Sequence, residues 1–231
     1  MRPVTSYVRR SPRMNDSQKA AWQRLGSQYV VGGLARDAMV SRFVEQPPLD
    51  LAKVFGRAAP LLVEVGAGSG ENLTAEAVER PDWNLLGFEV YDKVLGSTMS
   101  RLDRAEAANA RLIHGDAVTG LTYLIPPQAI SELQSYFPDP WHKARHVKRR
   151  LINPAFVELA ASRLKPGGLW RLSTDWDDYA RHIGAVFGGT SLFDDVTAEQ
   201  ATTTSRPVTK FEARARSAGR GVTEFVFERA T

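Results

Sequence analysis

Cysteine is absent from this chain of 231 residues, which removes disulfides, thiol nucleophiles and every zinc site that needs a thiolate. Histidine is scarce: of the four present, His142 and His146 stand four apart, but no third ligand is near in sequence, so no metal is expected. No apolar run approaches the ~18 residues that a membrane helix needs. The opening MRPVTSYVRRSPR lacks the apolar stretch and small-residue cleavage site of a secretory signal, so a cytoplasmic protein is expected.

Hydrophobic residues make up 43% and charged residues 24%, enough for one domain with a real core and too balanced for disorder. The 30 bases outnumber the 26 acids only slightly, but they are unevenly spread. Up to position 24, Arg2, Arg9, Arg10, Arg13, Lys19 and Arg24 are opposed by Asp16 alone. A second run, KARHVKRR, extends from Lys143 to Arg150 with no acid inside it. Two such runs point to a polyanionic partner, with nucleic acid the leading class.

Residues 1–28 are basic, polar and weakly patterned and read as an N-terminal arm, leaving 29–231 as the domain. The stretch 34–46 reads as a short helix closed by Pro47 and Pro48. From Leu61 strands and helices alternate. LLVEV is a strand, followed by three glycines and the helix ENLTAEAVER; NLLGFEV and RLIHGDA are further strands, with a helix between them. AISELQSYF is a fourth strand that has to end before Pro138. NPAFVELAASRL is a helix with Pro154 in its first turn and Gly167-Gly168 as its cap, and LWRLSTD is a fifth strand ahead of the helix WDDYARHIGAVFGG. After Gly189 the chain reads as loop until GVTEFVFER, which alternates as a closing antiparallel strand. This succession requires a doubly wound, mostly parallel α/β sheet.

In such a sheet ligands bind beyond the carboxyl ends of the strands, where Glu64, Glu89, Asp116, Asp139 and Asp175 fall. The first loop has glycines at 66, 68 and 70, not the GxGxxG that seats a pyrophosphate on a helix N-terminus. Glu64 and Glu71 flank it and would repel phosphate, which favours a cationic ligand. Glu89 suits the two ribose hydroxyls of an adenosine, and either the Asp116 carboxylate or the backbone amide after it, that of Ala117, suits the adenine edge. An adenosine without phosphates and carrying positive charge describes S-adenosylmethionine. A nicotinamide oxidoreductase would want the missing glycine spacing, and an RNA-binding module without catalysis would tolerate loss of Asp139.

The motifs YVRRSPRM (7–14), VEVGAGSGE (63–71), GDA (115–117), FPDPWHKARHVKRRL (137–151), LKPGG (164–168), STDWDDYA (173–180), RPVTKFEARA (206–215) and GVTEFVFER run through nearly the whole chain. In that order they resemble the bacterial tRNA (guanine-N7-)-methyltransferases. The resemblance implies a class I methyltransferase fold with a seven-stranded sheet, S-adenosylmethionine as cofactor, and a guanine in the tRNA variable loop as substrate. It assigns Glu64, Glu89, Asp116 and Asp139 to the cofactor; the residues themselves add Gly66 and Gly68 of the loop and the Ala117 N–H to the expected cofactor site, and Asp139 is also expected as the catalytic residue. The resemblance assigns Lys143, Asp175, Thr209, Lys210, Phe211 and Glu212 to the substrate, and Arg145, His146, Lys148, Arg149 and Arg150 to the RNA. Members often carry Pro at the position of His142 and Lys at that of Ala144; neither difference touches a proposed role. Monomer and homodimer both remain open, and a methyltransferase of the same fold acting on another RNA or a small molecule is the nearest alternative. Trp141 and Phe211 offer flat faces on which a base can stack. Trp141 reads equally well as packing; Trp170, inside a strand, reads as core.

Overall fold

The computed structural model describes residues 6–7, 13–37, 41–200, 208 and 210–231, with only the backbone of Arg36, Lys210 and Phe211. Its first helix, α1 (Asp16–Tyr29), starts at a capping box in which the Asn15 side chain accepts from the Gln18 N–H and the Gln18 side chain accepts from the Asn15 N–H. Ala21, Leu25 and Tyr29 are buried at a spacing of four, which is one helical stripe. Residues 16–28, assigned by sequence to a polar arm, are therefore packed helix; three apolar residues make a sufficient face yet barely show among polar neighbours. The short helix expected over 34–46 is also replaced, by the antiparallel pair β1 (Arg36–Asp37) and β2 (Arg42–Phe43). Phe43 explains the change, because its buried ring occupies the space that Gly115 leaves open: a Cβ there would lie 2.5 Å from Phe43 Cζ. A distant anchor has outweighed the local pattern.

The chain continues through α2 (Leu51–Phe55), β3 (Leu61–Val65), α3 (Glu71–Glu79), β4 (Asn84–Glu89), α4 (Asp92–Arg104), β5 (Ala110–His114), α5 (Ala117–Tyr123) and β6 (Ile130–Tyr136). A 3-10 helix over Ala144–Arg149 precedes α6 (Pro154–Arg163), β7 (Leu164–Thr174), α7 (Asp177–Gly188), β8 (Phe193–Asp195), α8 (Thr197–Gln200), α9 (Lys210–Ser217) and β9 (Thr223–Arg229). The main sheet has seven strands in the order β5-β4-β3-β6-β7-β9-β8, with β9 antiparallel to both neighbours. The order reverses between β3 and β6, so the switch point lies where those two strands end.

Asn153 caps α6 by accepting from the Phe156 N–H at 3.1 Å, and Pro154 follows as expected. Gly167 and Gly168 do not cap it. The helix stops at Arg163 because Leu164 is drawn into the sheet opposite Ile130, and the glycines lie at an irregularity inside β7. The short β8 falls in a stretch that reads as loop.

Alternation along β3 sends Leu61 and Val63 to one face and Leu62 to the other, building a core layer on each side. On the first face α5 approaches β4 at Gly120, where a Cβ would lie 2.2 Å from Phe88 Cε1. Gly120→Ala should therefore lower stability by about 1–3 kcal/mol despite the better helix propensity of alanine. Urea unfolding checks it; an unchanged midpoint would show that Phe88 can move aside.

Candidate active site

The turn after β3 is shaped by backbone. The N–H groups of Gly66 and Ala67 both donate to Phe88 O, at 3.0 and 2.9 Å, tying the loop to β4. Gly66, Gly68 and Gly70 have φ of 80°, 54° and 75°, a region open to glycine and costly for other residues. Nothing lies within 4 Å of where a Gly66 Cβ would be, so the loop presents open space on its ligand side. On its other side it is packed: the Thr98 hydroxyl donates to Gly68 O at 2.7 Å, and a Cβ on Gly70 would sit 2.4 Å from Thr98 Cγ2.

Glu89, at the end of β4, is buried and braces this loop. Its Oε2 accepts from Gly68 N–H at 3.0 Å, and its Oε1 from Val90 and Tyr91 N–H at 2.7 and 3.0 Å. A carboxylate offers about four acceptor sites, so capacity for one further hydroxyl donor remains. Burial pushes the Glu89 carboxyl above its usual range against the pull of those three amides, and the charge of Asp139 adds to the rise. Glu64, also buried, stands on β3 beside Gly87 of β4 and Gln134 of β6, at the same end of the sheet.

Asp116 caps α5. Its carboxylate accepts from Val118 N–H at 3.2 Å and pairs with Arg42 Nε at 3.7 Å, while its own N–H donates to Ser41 O at 2.7 Å. Burial raises its carboxyl as well. With the carboxylate turned to the cap, the N–H of Ala117 is among the first-turn groups that a helix leaves without an internal partner. The β1–β2 pair covers this corner, with Phe43 N–H donating to Thr119 Oγ1 at 3.1 Å. Sequence reasoning missed Ser41, Arg42 and Phe43; the only local sign of them was a glycine at 115 that admits a neighbouring ring.

Asp139 follows β6, next to β3 in the sheet, and is exposed. Its charge adds to the rise of both the Glu89 carboxyl and the Tyr179 hydroxyl, each of which is due first to burial. The two residues flanking Pro138-Asp139-Pro140 are left-handed: Phe137 at φ 51° and Trp141 at φ 46°. Conformations of this kind persist only where surrounding contacts hold them. Phe137 N–H donates to Ser173 O at 2.9 Å, and Trp141 Nε1–H donates to Ser6 O at 3.0 Å. The Arg149 guanidinium lies 3.8 Å from the Trp141 ring and donates to Tyr7 O. One face of Trp141 is thus covered, while Trp170 is core as expected.

Lys143, Arg145 and Lys148 are exposed around the 3-10 helix, and His146 and Arg149 are half-buried. Desolvation, and then the charges of Arg145, Arg149, Lys143 and Lys148, hold the His146 imidazole below its ordinary value. Arg150 departs from the expectation of an RNA-facing residue. It is buried, its side chain turned inward to Pro140 O and Asp178, because the helix ends there and the next residues enter the core.

Asp175, at the end of β7, accepts from Arg220 Nε at 2.9 Å. Thr209 lies outside the described residues, as do the side chains of Lys210 and Phe211. Glu212 is buried on α9 and accepts from Arg216 Nη2 at 2.5 Å. Among the described residues no group of three His, Cys, Asp or Glu is placed to hold a metal ion, and no helix is long and apolar enough to cross a membrane.

A mostly parallel seven-stranded sheet with its order reversed between β3 and β6 and an antiparallel β9 set between β7 and β8, a glycine turn open to the switch point and a buried carboxylate ending the next strand together match a class I S-adenosylmethionine-dependent methyltransferase. The family described as "Putative methyltransferase" matches residues 58–225. The tRNA (guanine-N(7)-)-methyltransferase of Cutibacterium acnes is 45% identical over 232 residues, covering 99% of this chain and 84% of that protein. Its counterpart from Nitrosococcus oceani is 42% identical and covers 99% and 92%. The solved 16S rRNA methyltransferase KamB superposes with a TM-score of 0.55 at 13% identity, over 83% of this chain and 98% of that one, a likeness of fold alone. This chain belongs to the tRNA (guanine-N(7)-)-methyltransferase family.

Proposed function

We propose that this protein transfers the methyl group of S-adenosylmethionine to N7 of a guanine in the variable loop of tRNA. The observation that supports the reading is the strand-end grouping: β4, β3 and β6 run side by side and parallel, with buried Glu89 ending β4, the open glycine turn following β3 and Asp139 following β6. The open glycine turn and the buried, partly satisfied Glu89 fit an adenosine bearing a cation. S-adenosylmethionine supplies an electrophilic methyl on a sulfonium. In this assignment Glu89 takes a ribose hydroxyl, the Ala117 N–H meets the adenine edge, and Gly66 and Gly68 allow the backbone to approach.

Guanine N7 is an acceptor without a proton, so it can attack directly and no general base is needed. Asp139 has two tasks in this reading. It accepts from the N1–H and N2–H₂ edge, aiming N7 at the methyl, and its charge offsets the positive charge the ring acquires. In this reading Lys143 and Asp175 border the substrate, and Arg145, His146, Lys148 and Arg149 follow the RNA. A cytoplasmic location accords with a tRNA substrate. The deciding experiment incubates the protein with labelled S-adenosylmethionine and unmodified tRNA and maps the methylated base. Label on another base, on other RNA or on a small molecule only would replace this reading.

The exposed bases are too closely spaced to read several nucleobases and suit phosphates. Lys148→Ala should weaken binding of all tRNAs alike and flatten the slope of log affinity against log salt by about 0.7–0.9, one phosphate contact. Filter binding across a salt series tests this. An unchanged slope would remove Lys148 from the RNA path.

A further inference from the structure

We propose that Arg150 is a positioning residue for methyl transfer, fixing the Pro138-Asp139-Pro140 turn so that the Asp139 carboxylate holds its place in the cleft. The inference rests on the reading of Asp139 as the residue that orients the guanine. Arg150 closes a basic run, yet its side chain is only 3% exposed. Burying a guanidinium is unfavourable unless it is paired and hydrogen-bonded, and here two of its nitrogens and one face are held. Nε–H donates to Pro140 O at 2.9 Å, Nη2–H donates to Asp178 Oδ2 at 2.5 Å, and the guanidinium carbon lies 4.9 Å from the centre of the Tyr179 ring. Tyr179 is itself immobilised, fully buried with its hydroxyl accepting from Ile152 N–H at 3.1 Å. Asp178 is held below its usual carboxylate range by the hydrogen bond and charge of Arg150.

The Pro140 carbonyl is a telling place for such an anchor. Proline rings fix φ at 138 and 140, so between the two anchors at Phe137 N–H and Pro140 O the dihedrals of Asp139 are among the few soft ones left. The left-handed Phe137 and Trp141 on either side are conformations the turn would leave if released. Arg150 thereby links the turn that carries Asp139 to the first turn of α7, where Asp178 and Tyr179 supply the carboxylate and ring that seat the arginine.

The test compares Arg150→Met, Arg150→Lys and Asp178→Asn with the wild type, using full-length protein, S-adenosylmethionine and unmodified tRNA. Arg150→Met should lower kcat at saturating tRNA and cofactor by about 10- to 100-fold, the scale of a misplaced reacting group. The tRNA affinity and its salt slope should stay at the wild-type values, and Arg150→Lys should recover part of the loss. Asp178→Asn, a change at a half-exposed side chain that the fold tolerates, should lower kcat in the same direction by about 3- to 10-fold. Amide hydrogen exchange over residues 137–143 should quicken in both while the β3 and β4 peptides keep their protection. A kcat within about 2-fold of wild type in both variants overturns the proposal. So does a loss that appears only as weaker tRNA binding with a flatter salt slope, which would make Arg150 a phosphate contact. Should Arg150→Met not fold, Asp178→Asn decides alone. If the wild type does not methylate tRNA, the functional reading has failed; unaltered exchange over 137–143 is then the result that separately refutes the anchor.

Discussion

Asp139→Asn should lower turnover by about 10²- to 10³-fold at saturating S-adenosylmethionine and tRNA, the effect of removing one preorganised electrostatic group from a reacting centre. The substitution keeps size and shape, and Asp139 is exposed between two prolines, so folding should be untouched. What changes is chemistry. An amide accepts on one side only and presents N–H₂ to the guanine N–H groups on the other, and it brings no negative charge to balance the methylated ring. Affinity for tRNA, set largely by phosphates, should change little. Single-turnover methyl transfer separates the two quantities. A wild-type rate would reduce the proline-flanked aspartate to a rigid turn, whereas a loss seen only in tRNA affinity would make it a binding group.

The second large effect is expected at Glu89. Glu89→Ala should weaken S-adenosylmethionine by about 100-fold or more, since removing the carboxylate deserts three backbone donors as well as the ribose, and each unsatisfied buried donor costs about 1–3 kcal/mol. Those donors are Gly68, Val90 and Tyr91, so the glycine turn itself should loosen. Titration calorimetry with S-adenosylmethionine and its demethylated product tells the two contributions apart. Equal losses for both ligands mean that Glu89 acts through hydroxyls and the loop; a loss confined to the charged ligand means that it acts through charge. Binding within about 3-fold of wild type, or comparable binding of NAD by the native protein, would sink the assignment of this pocket.

The strands at 61–65, 84–89 and 130–136, the glycine turn and the antiparallel closing strand were all legible, because alternation, glycine and proline are local signals read over a few residues. Alternating strands and helices joined by right-handed crossovers leave few topologies, and in those a ligand binds beyond the carboxyl ends of the strands. Glu64, Glu89, Asp116 and Asp139 do lie at those ends. Roles within the site were harder to read. Asp116 spends its carboxylate on a helix cap and Arg42, and Trp141 has Arg149 against one face, so neither is as free as its position alone implies.

By itself, then, the sequence determined the class of fold, the end of the sheet at which the acids gather and a cofactor of positive charge. Tertiary structure decided which members of a run face outward and which hold the site together. Lys148 and Arg150 differ little as letters, yet one is exposed and the other buried against Tyr179. Glu132 of β6 meets Arg80 at 3.0 Å and Arg171 at 3.2 Å, partners 52 and 39 residues away. Asp175 meets Arg220, 45 residues on. The reason is physical: a local pattern states how polar a residue is, whereas burial and pairing depend on the groups that the folded chain brings beside it, and a buried charge is tolerated only where those groups complete its hydrogen bonds.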